Sequence, residues 1–261
     1  MEKTYFSRGL SSAVISLAFL VLWSHAAVAQ NVQEPMDPAK APKISEDDPF
    51  ESWNRKVFAF NDGVDRWFLR PVAKAYRTVT PDLVDRGVTN FFNNLGEVSN
   101  FTNSVLQGKG ESAVVAFGRF TFNTIFGLGG IFDVATSFDL PERNEDFGQT
   151  LGVWGVTSGP YLVLPLLGPS TPRHTTGFLT DSFVLPSAWD EIEDPDRYYL
   201  RALQIIDVRA DLIPVEGMIS GDRYTFMRNA FLQRREFLLN DGKITDDPFA
   251  NDDEDLMLED F

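Results

Sequence analysis

Residues able to do covalent chemistry are few in this chain and poorly placed. Beyond the first 29 positions there is a single histidine, His174, set between Arg173 and Thr175 in a Pro-bounded stretch that reads as an exposed loop. The absence of cysteine removes thiol nucleophiles, thiolate metal sites and disulfides. G-V-T-S-G at 155–159 places its serine one position away from where a nucleophile elbow needs it. Asp190, Glu191, Glu193, Asp194 and Asp196 offer the hard oxygens calcium prefers, but without EF-hand spacing, and a solvated acidic loop is the simpler account. G-L-G-G at 127–130 is not followed by the Lys-Ser/Thr pair of a phosphate loop. A net charge of -15 disfavours nucleic acid, whose recognition needs a basic surface. No cofactor and no metal is expected, and the work predicted is binding or transport rather than catalysis.

The chemistry that the spacing does support is contact with an amphiphile. Phe50, Trp53, Val57, Phe60, Val64 and Trp67 recur at steps of 3, 4, 3, 4 and 3, an aromatic stripe at helical period. Between Pro49 and Arg77 stand six basic residues, Arg66 and Arg70 among them, against three acidic ones. An aromatic face flanked by Arg and Lys suits a helix lying in a membrane interface, where rings sit at headgroup depth and cations reach phosphates. A core helix with a solvated polar face has the same period. A second feature is the run from Phe147 to Pro172, which carries no charge at all. Pro160, Pro165, Pro169 and five glycines exclude a regular spanning helix there. Broken backbone at membrane depth is tolerated only where protein buries it or a wet cavity receives it. The run 120–132 has the same character, so the two segments are expected in an ordinary core, along an apolar-walled channel or in a membrane leaflet.

The elements that must position these residues are mainly helical. Val84, Val88, Phe91, Leu95, Val98, Phe101 and Val105 repeat at helical spacing up to the breakers Gly108 and Gly110. Glu111 to Phe126 is apolar on most sides, which predicts burial in protein or in lipid. Later helices are expected over 198–212 and through Tyr224, Met227, Phe231 and Leu238. Strand-like alternation is scarce. The first 29 residues have the layout of an export signal: Lys3 and Arg8, the apolar run Leu10 to Trp23, then Ala27-Val28-Ala29, with cleavage between Ala29 and Gln30. Residues 30–47 read as a disordered, proline-containing linker, and 243–261 as a disordered acidic tail. The interval 48–242 is long enough for one domain.

Several blocks, in order along nearly all of that interval, resemble one family. They are D-P-F-E-S-W-N-R-K-V-F-A-F-N (48–61), R-P-V-A-K-A-Y-R (70–77), G-R-F-T-F-N-T-I-F-G-L-G-G-I-F-D-V-A (118–135), the uncharged segment as D-F-G-Q through S-T-P-R (146–173), and R-N-A-F-L-Q-R-R-E-F (228–237). Together they are similar to the MlaA/VacJ family of outer-membrane lipid-asymmetry proteins. The resemblance implies a single ring-shaped helical domain with an amphipathic central channel, seated in the inner leaflet of the outer membrane on its periplasmic side. It implies that stray outer-leaflet phospholipids descend through the channel to a soluble periplasmic lipid carrier, and that a trimeric porin is a partner. On that reading Phe58, Phe60, Asn61, Asp62 and Gly63 form a polar-to-apolar gate. Phe147, Leu151, Trp154, Tyr161, Leu162 and Leu164 form a channel wall, and Phe50, Trp53, Val57, Arg66, Trp67 and Arg70 form the membrane-interface helix. Many relatives carry an acylated N-terminal cysteine; lacking one, this chain is expected to be held by its fold or by a porin. Two other classes remain open at this point: an envelope protein that braces porins or membrane without moving lipid, and a periplasmic lipid hydrolase built on His174.

Overall fold

The computed structural model describes residues 48–219 and 221–242. The expected signal with its Ala29–Gln30 junction, the linker and the acidic tail lie outside the described residues. The chain is mostly helical, as its periodicity predicts. It opens on a turn in which the Asp48 carboxylate accepts from the Phe50 N–H and from Asn54 Nδ2, both at 3.0 Å. Helix α1 (Glu51–Val64) runs through a π turn (Asp65–Leu69) into α2 (Arg70–Val79). Pro71 gives a physical reason for the π turn. Proline has no N–H, and its ring crowds the carbonyl four residues back. Here the turn is wider, with the Arg70 N–H bonded to the Asp65 carbonyl five residues back. The extra residue shifts the phase of the aromatic stripe, so that Trp67 and its neighbour Phe68 are both exposed.

Thr80 turns extended before Pro81, and α3 (Asp82–Leu106) begins with Asp82 and Asp85 in its first turn, where carboxylates complement the helix dipole. Gly108, at φ +74°, reverses the chain into α4 (Gly110–Ile125). Helices α3 and α4 form the most extensive helix pair of the fold. The glycine-rich turn after α4 closes back on α3 at Gly130, where φ is +99° and an added Cβ would lie 2.6 Å from the Asn94 side chain.

The uncharged segment resolves into three pieces. Helix α5 (Phe147–Val153) is followed by strands β1 (Leu162–Leu164) and β2 (Gly168–Ser170), then by α6 (Pro172–Phe183). The strands pair antiparallel, Leu162 with Ser170, Val163 with Pro169 and Leu164 with Gly168. The α5–α6 approach is tight: a Cβ on Gly177 would fall 2.2 Å from the Gly148 nitrogen. Helices α7 (Asp196–Asp211) and α8 (Arg223–Leu239) complete the fold. The Asp207 carboxylate ties α7 to α2 and α3, accepting from Tyr76 Oη at 2.9 Å and Thr89 Oγ1 at 3.0 Å.

One apolar core sits where α1, the hairpin and α8 meet: Val57, Tyr161, Val163, Tyr224 and Phe231, with Phe58 and Leu232 against them. The hairpin is fixed to α1 by two asparagines seven residues apart, hence on one face of the helix. Asn54 donates to the Tyr161 carbonyl (3.1 Å) and accepts from the Val163 N–H (2.8 Å). Asn61 donates to the Leu164 carbonyl (2.9 Å) and accepts from the Leu166 N–H (2.8 Å). Each amide stands in for one residue of a neighbouring strand, satisfying backbone groups on a two-stranded sheet.

Candidate functional site

The α3–α4 pair is packed inside out. Its buried residues are polar: Asn94, Glu97, Asn100, Asn103 and Ser104 on α3, and Ser112, Arg119 and Asn123 on α4, with only Ala113, Val115, Ala116, Phe92 and Gly87 as apolar or small company. Arg119, 2 % exposed, and Glu97, 1 % exposed, form its centre. Arg119 Nε donates to Glu97 Oε1 at 2.6 Å, Nη1 to the Leu140 carbonyl at 2.7 Å and to Thr136 Oγ1 at 3.1 Å, and Nη2 to Asp133 Oδ2 at 3.2 Å. Asn100 donates to the other Glu97 oxygen and accepts from the Glu145 N–H, both at 3.0 Å. The line continues through Gln107 to Glu145 (2.9 Å), and through Thr150 to Asn103 (2.9 Å) to Asp181 (2.8 Å). Burying the two charges is tolerable because Arg119 and Glu97 are each paired and hydrogen-bonded, while Asn94 Oδ1, Ser104 Oγ and Gln107 Oε1 are buried without a partner among the described residues.

The outward face of the same pair is apolar. Val114 is 71 % exposed and Phe117 59 %, and Phe101, Val105, Ile125, Phe126, Leu128, Ile131, Phe132 and Phe138 are exposed with them. Soluble proteins rarely leave apolar groups in such a contiguous patch. Among the described residues no helix is long and apolar enough to cross a membrane. The physical solvent that suits this arrangement is hydrocarbon one leaflet deep, about 15 Å.

Along the rod of α1, π turn and α2, Phe50, Trp53, Phe60 and Trp67 are exposed, the last 86 %. Val57 is not among them. It is buried in the core against the hairpin and α8, because the inward face of α1 is centred one residue over, on Asn54 and Asn61. Arg66 is exposed and pairs with Asp62. Arg70 is held by Glu216 at 2.6 Å.

Of the residues expected at a gate, Phe60 is exposed, Phe58 meets Tyr224 edge-on at 5.8 Å, and Asn61 is engaged by the hairpin. Asp62 accepts from Arg223 at 2.6 Å, and Gly63 has open space where a Cβ would stand. Of the expected wall, Trp154 is exposed and meets Phe147 edge-on at 5.6 Å, while Leu151, Leu162 and Leu164 are half-buried. Tyr161 departs from the wall reading: it is enclosed in the apolar core, 6.2 Å from the Tyr224 ring and 6.0 Å from Phe231.

His174 also departs from its expectation. It is not on an exposed loop but in the first turn of α6, which Thr171 caps by accepting from the His174 N–H. Its Nδ1 lies 3.1 Å from Ser170 Oγ, and its ring meets Phe231 edge-on. Burial, reinforced by the Arg235 charge, pushes its pKa down to about 4, so the imidazole is neutral and acts as packing. Beside it, burial would raise the Asp146 carboxyl, but the Arg235 guanidinium outweighs that and holds it well below the usual range. Among the described residues no group of His, Asp and Glu is arranged to hold a metal ion.

The sequence reading missed the polar spine, although its signal is present: Asn94, Glu97, Asn100, Ser104 and Gln107 follow one another at steps of 3, 3, 4 and 3 along a helix read for its apolar residues. It also missed the charges gathered at the π turn. Arg209, 4 % exposed, reaches Asp65 at 2.6 and 2.8 Å and also pairs with Glu216. Arg70, Ile213, Glu216, Gly217, Ile219 and Arg223 line a cleft of about 290 Å³ there.

The profile of the MlaA lipoprotein family matches residues 46–238. The intermembrane phospholipid transport system lipoprotein MlaA of Haemophilus influenzae is 36 % identical over 210 residues, 78 % of this chain and 84 % of that one. Its Escherichia coli K12 counterpart is 38 % identical over 203 residues, 76 % of this chain and 80 % of that one. A solved chain, from work on the structural basis for maintenance of bacterial outer membrane lipid asymmetry, superposes with a TM-score of 0.67. It is 35 % identical and matches 75 % of this chain and all of that one. With that match extending over most of the described fold, the chain belongs to the MlaA lipoprotein family.

Proposed function

We propose that this protein transports phospholipid between membranes, removing phospholipid mislocalised to the outer leaflet of the outer membrane. The observation that carries the reading is the inverted α3–α4 pair, a buried polar spine under an exposed apolar skin. Such a body rests in one leaflet and offers both environments an amphiphile needs, polar groups for the headgroup and apolar walls for the tails. Family membership and the names of the relatives support the substrate. The protein acts without covalent chemistry, as a ring around an amphipathic channel on the periplasmic side of the outer membrane, with a trimeric porin and a soluble periplasmic carrier as partners. The 48–242 domain does this work after the signal is removed at Ala29–Gln30.

Within the channel, Phe58, Phe60, Asn61, Asp62 and Gly63 act as the gate, because the hairpin is tethered to the rod there. Phe147, Leu151, Trp154, Leu162 and Leu164 line the wall. Phe50, Trp53, Trp67, Arg66 and Arg70 meet the interface. Deleting the gene and measuring outer-leaflet phospholipid tests the reading. A rise that the wild-type chain reverses is expected. No rise, with the protein shown to reach that membrane, contradicts transport and leaves a bracing role.

A further inference from the structure

At the π turn the arginines outnumber the carboxylates that hold them. Arg66, Arg70, Arg209 and Arg223 face Asp62, Asp65 and Glu216, a cluster with net charge of about +1 by this count. Pairing does not exhaust the donors. Arg70 Nε and Arg209 Nη1 are buried N–H groups with no acceptor among the described residues. A buried guanidinium donor without a partner is costly, and an acceptor brought into the cleft would lower the net charge these arginines carry. Arg70 lines the cleft, and so does Arg223, whose Nη1 is its one donor engaged with Asp62. The rest of the lining is Ile213, Gly217, Ile219 and Glu216, whose carboxylate is already paired with Arg70 and Arg209. A π turn inside a long helix is itself a frequent mark of a functional position.

We propose that this cleft binds a phosphate group, with the Arg70 and Arg223 guanidinium groups donating to its oxygens and Ile213 and Ile219 packing against the apolar part of the molecule that carries it. A phosphate offers paired acceptor oxygens that match guanidinium N–H groups, which neither a water nor a carbonyl does as well. The phosphate belongs to a phospholipid headgroup or to free phosphate. The lipid source rests on the transport reading; the phosphate site does not.

The test is calorimetric titration of the full chain in detergent with dihexanoyl phosphatidylglycerol, with inorganic phosphate, and with dihexanoylglycerol as the phosphate-free control. Wild type is expected to bind the phospholipid and not the diacylglycerol. Arg223→Gln, at an exposed position, and Arg70→Lys, which keeps the charge but lacks Nε, should each weaken binding about tenfold or more. Arg143→Gln, remote from the cleft, should not change it. Circular dichroism establishes that the variants are folded, and Arg223→Gln decides alone if Arg70→Lys is not. Phosphate binding as tightly, with the same losses, supports the site with free phosphate as its source. Binding of neither phosphate compound, or binding that all variants retain, overturns it. In the deletion strain, wild-type-level restoration of asymmetry by variants that have lost binding separates the cleft from transport and overturns the lipid source. Failure of the wild-type chain to restore asymmetry, while it still binds phosphate, removes the transport reading and leaves the site.

Discussion

The hairpin core and the α3–α4 pair are built on opposite rules, and the difference tells where each one sits. Around Val57, Tyr161, Val163, Tyr224 and Phe231, apolar groups point in and asparagines satisfy the hairpin backbone, as water requires. Across α3 and α4 most of the buried side chains are polar, with Glu97 and Arg119 at the centre, while Phe101, Val105, Val114, Phe117 and Ile125 are exposed. The hydrophobic effect stabilises the first region in any aqueous setting. It contributes less to the second, where Phe92 and Val115 are the large apolar groups buried and where buried hydrogen bonds and the Arg119–Glu97 ion pair join the helices. A single chain therefore presents one region with an apolar interior and another with a polar interior under exposed apolar groups.

The largest expected effect is at the centre of the inverted region. Arg119→Met leaves Glu97 and Asp133 uncompensated and the Leu140 carbonyl unpaired, and should destabilise the protein by about 3–5 kcal/mol, read as a lower melting midpoint in detergent. Phe231→Ala, in the hairpin core, should cost about 3–4 kcal/mol through lost burial and a cavity. Its cost should be indifferent to the choice of detergent. Asn54→Leu tests the tether: it strands the Tyr161 carbonyl and the Val163 N–H, at about 1–3 kcal/mol, without touching α3 or α4. A triple change, Val114→Ser, Phe117→Ser and Ile125→Ser, should leave the melting midpoint nearly unchanged. Vesicle flotation should show membrane affinity falling by about 1 kcal/mol or more per residue.

The smallest effect expected is one of pH. His174 stays neutral in the fold down to about 4, whereas an unfolded imidazole takes its proton near 6.5. Between these values the unfolded state binds the extra proton, so this group's contribution to stability is lost as pH falls through that window. Burial pushes Asp181 and Asp207 up to about 7, which acts in the opposite direction over about the same range. The difference in melting midpoint between wild type and His174→Gln, followed from pH 7 to pH 4, isolates the histidine and should narrow as the pH drops.

Much of the fold was legible because long helices advertise their period. Residues 82–106, 110–125, 196–211 and 223–239 lie where apolar spacing and glycine breakers put them. The hairpin was not legible: strands of three residues, one containing Pro169, are too short to show alternation. Nor was the π turn, since Pro71 announces a disturbance without saying which kind. Val57 and Tyr161 were misassigned for the same reason. An amphipathic period shows that a helix has two faces, but the neighbour that covers one of them is a tertiary fact. The polar spine escaped because polar residues on a helix are ordinarily read as solvated, and only the exposed Phe117 and Val114 reveal that the usual polarity is reversed.

Because the chain contains no cysteine, a single spin label can be placed at will, and its exposure to oxygen or to a water-soluble nickel chelate reports its surroundings. The most direct test is to compare labels at Phe117→Cys on α4 and Ala202→Cys on α7 in the protein reconstituted into phospholipid bilayers. The Phe117→Cys label is expected to be reached by oxygen and shielded from nickel, while the label at exposed Ala202→Cys is reached by nickel. Equal nickel access at both positions would contradict this, because the inverted face would then lie in water.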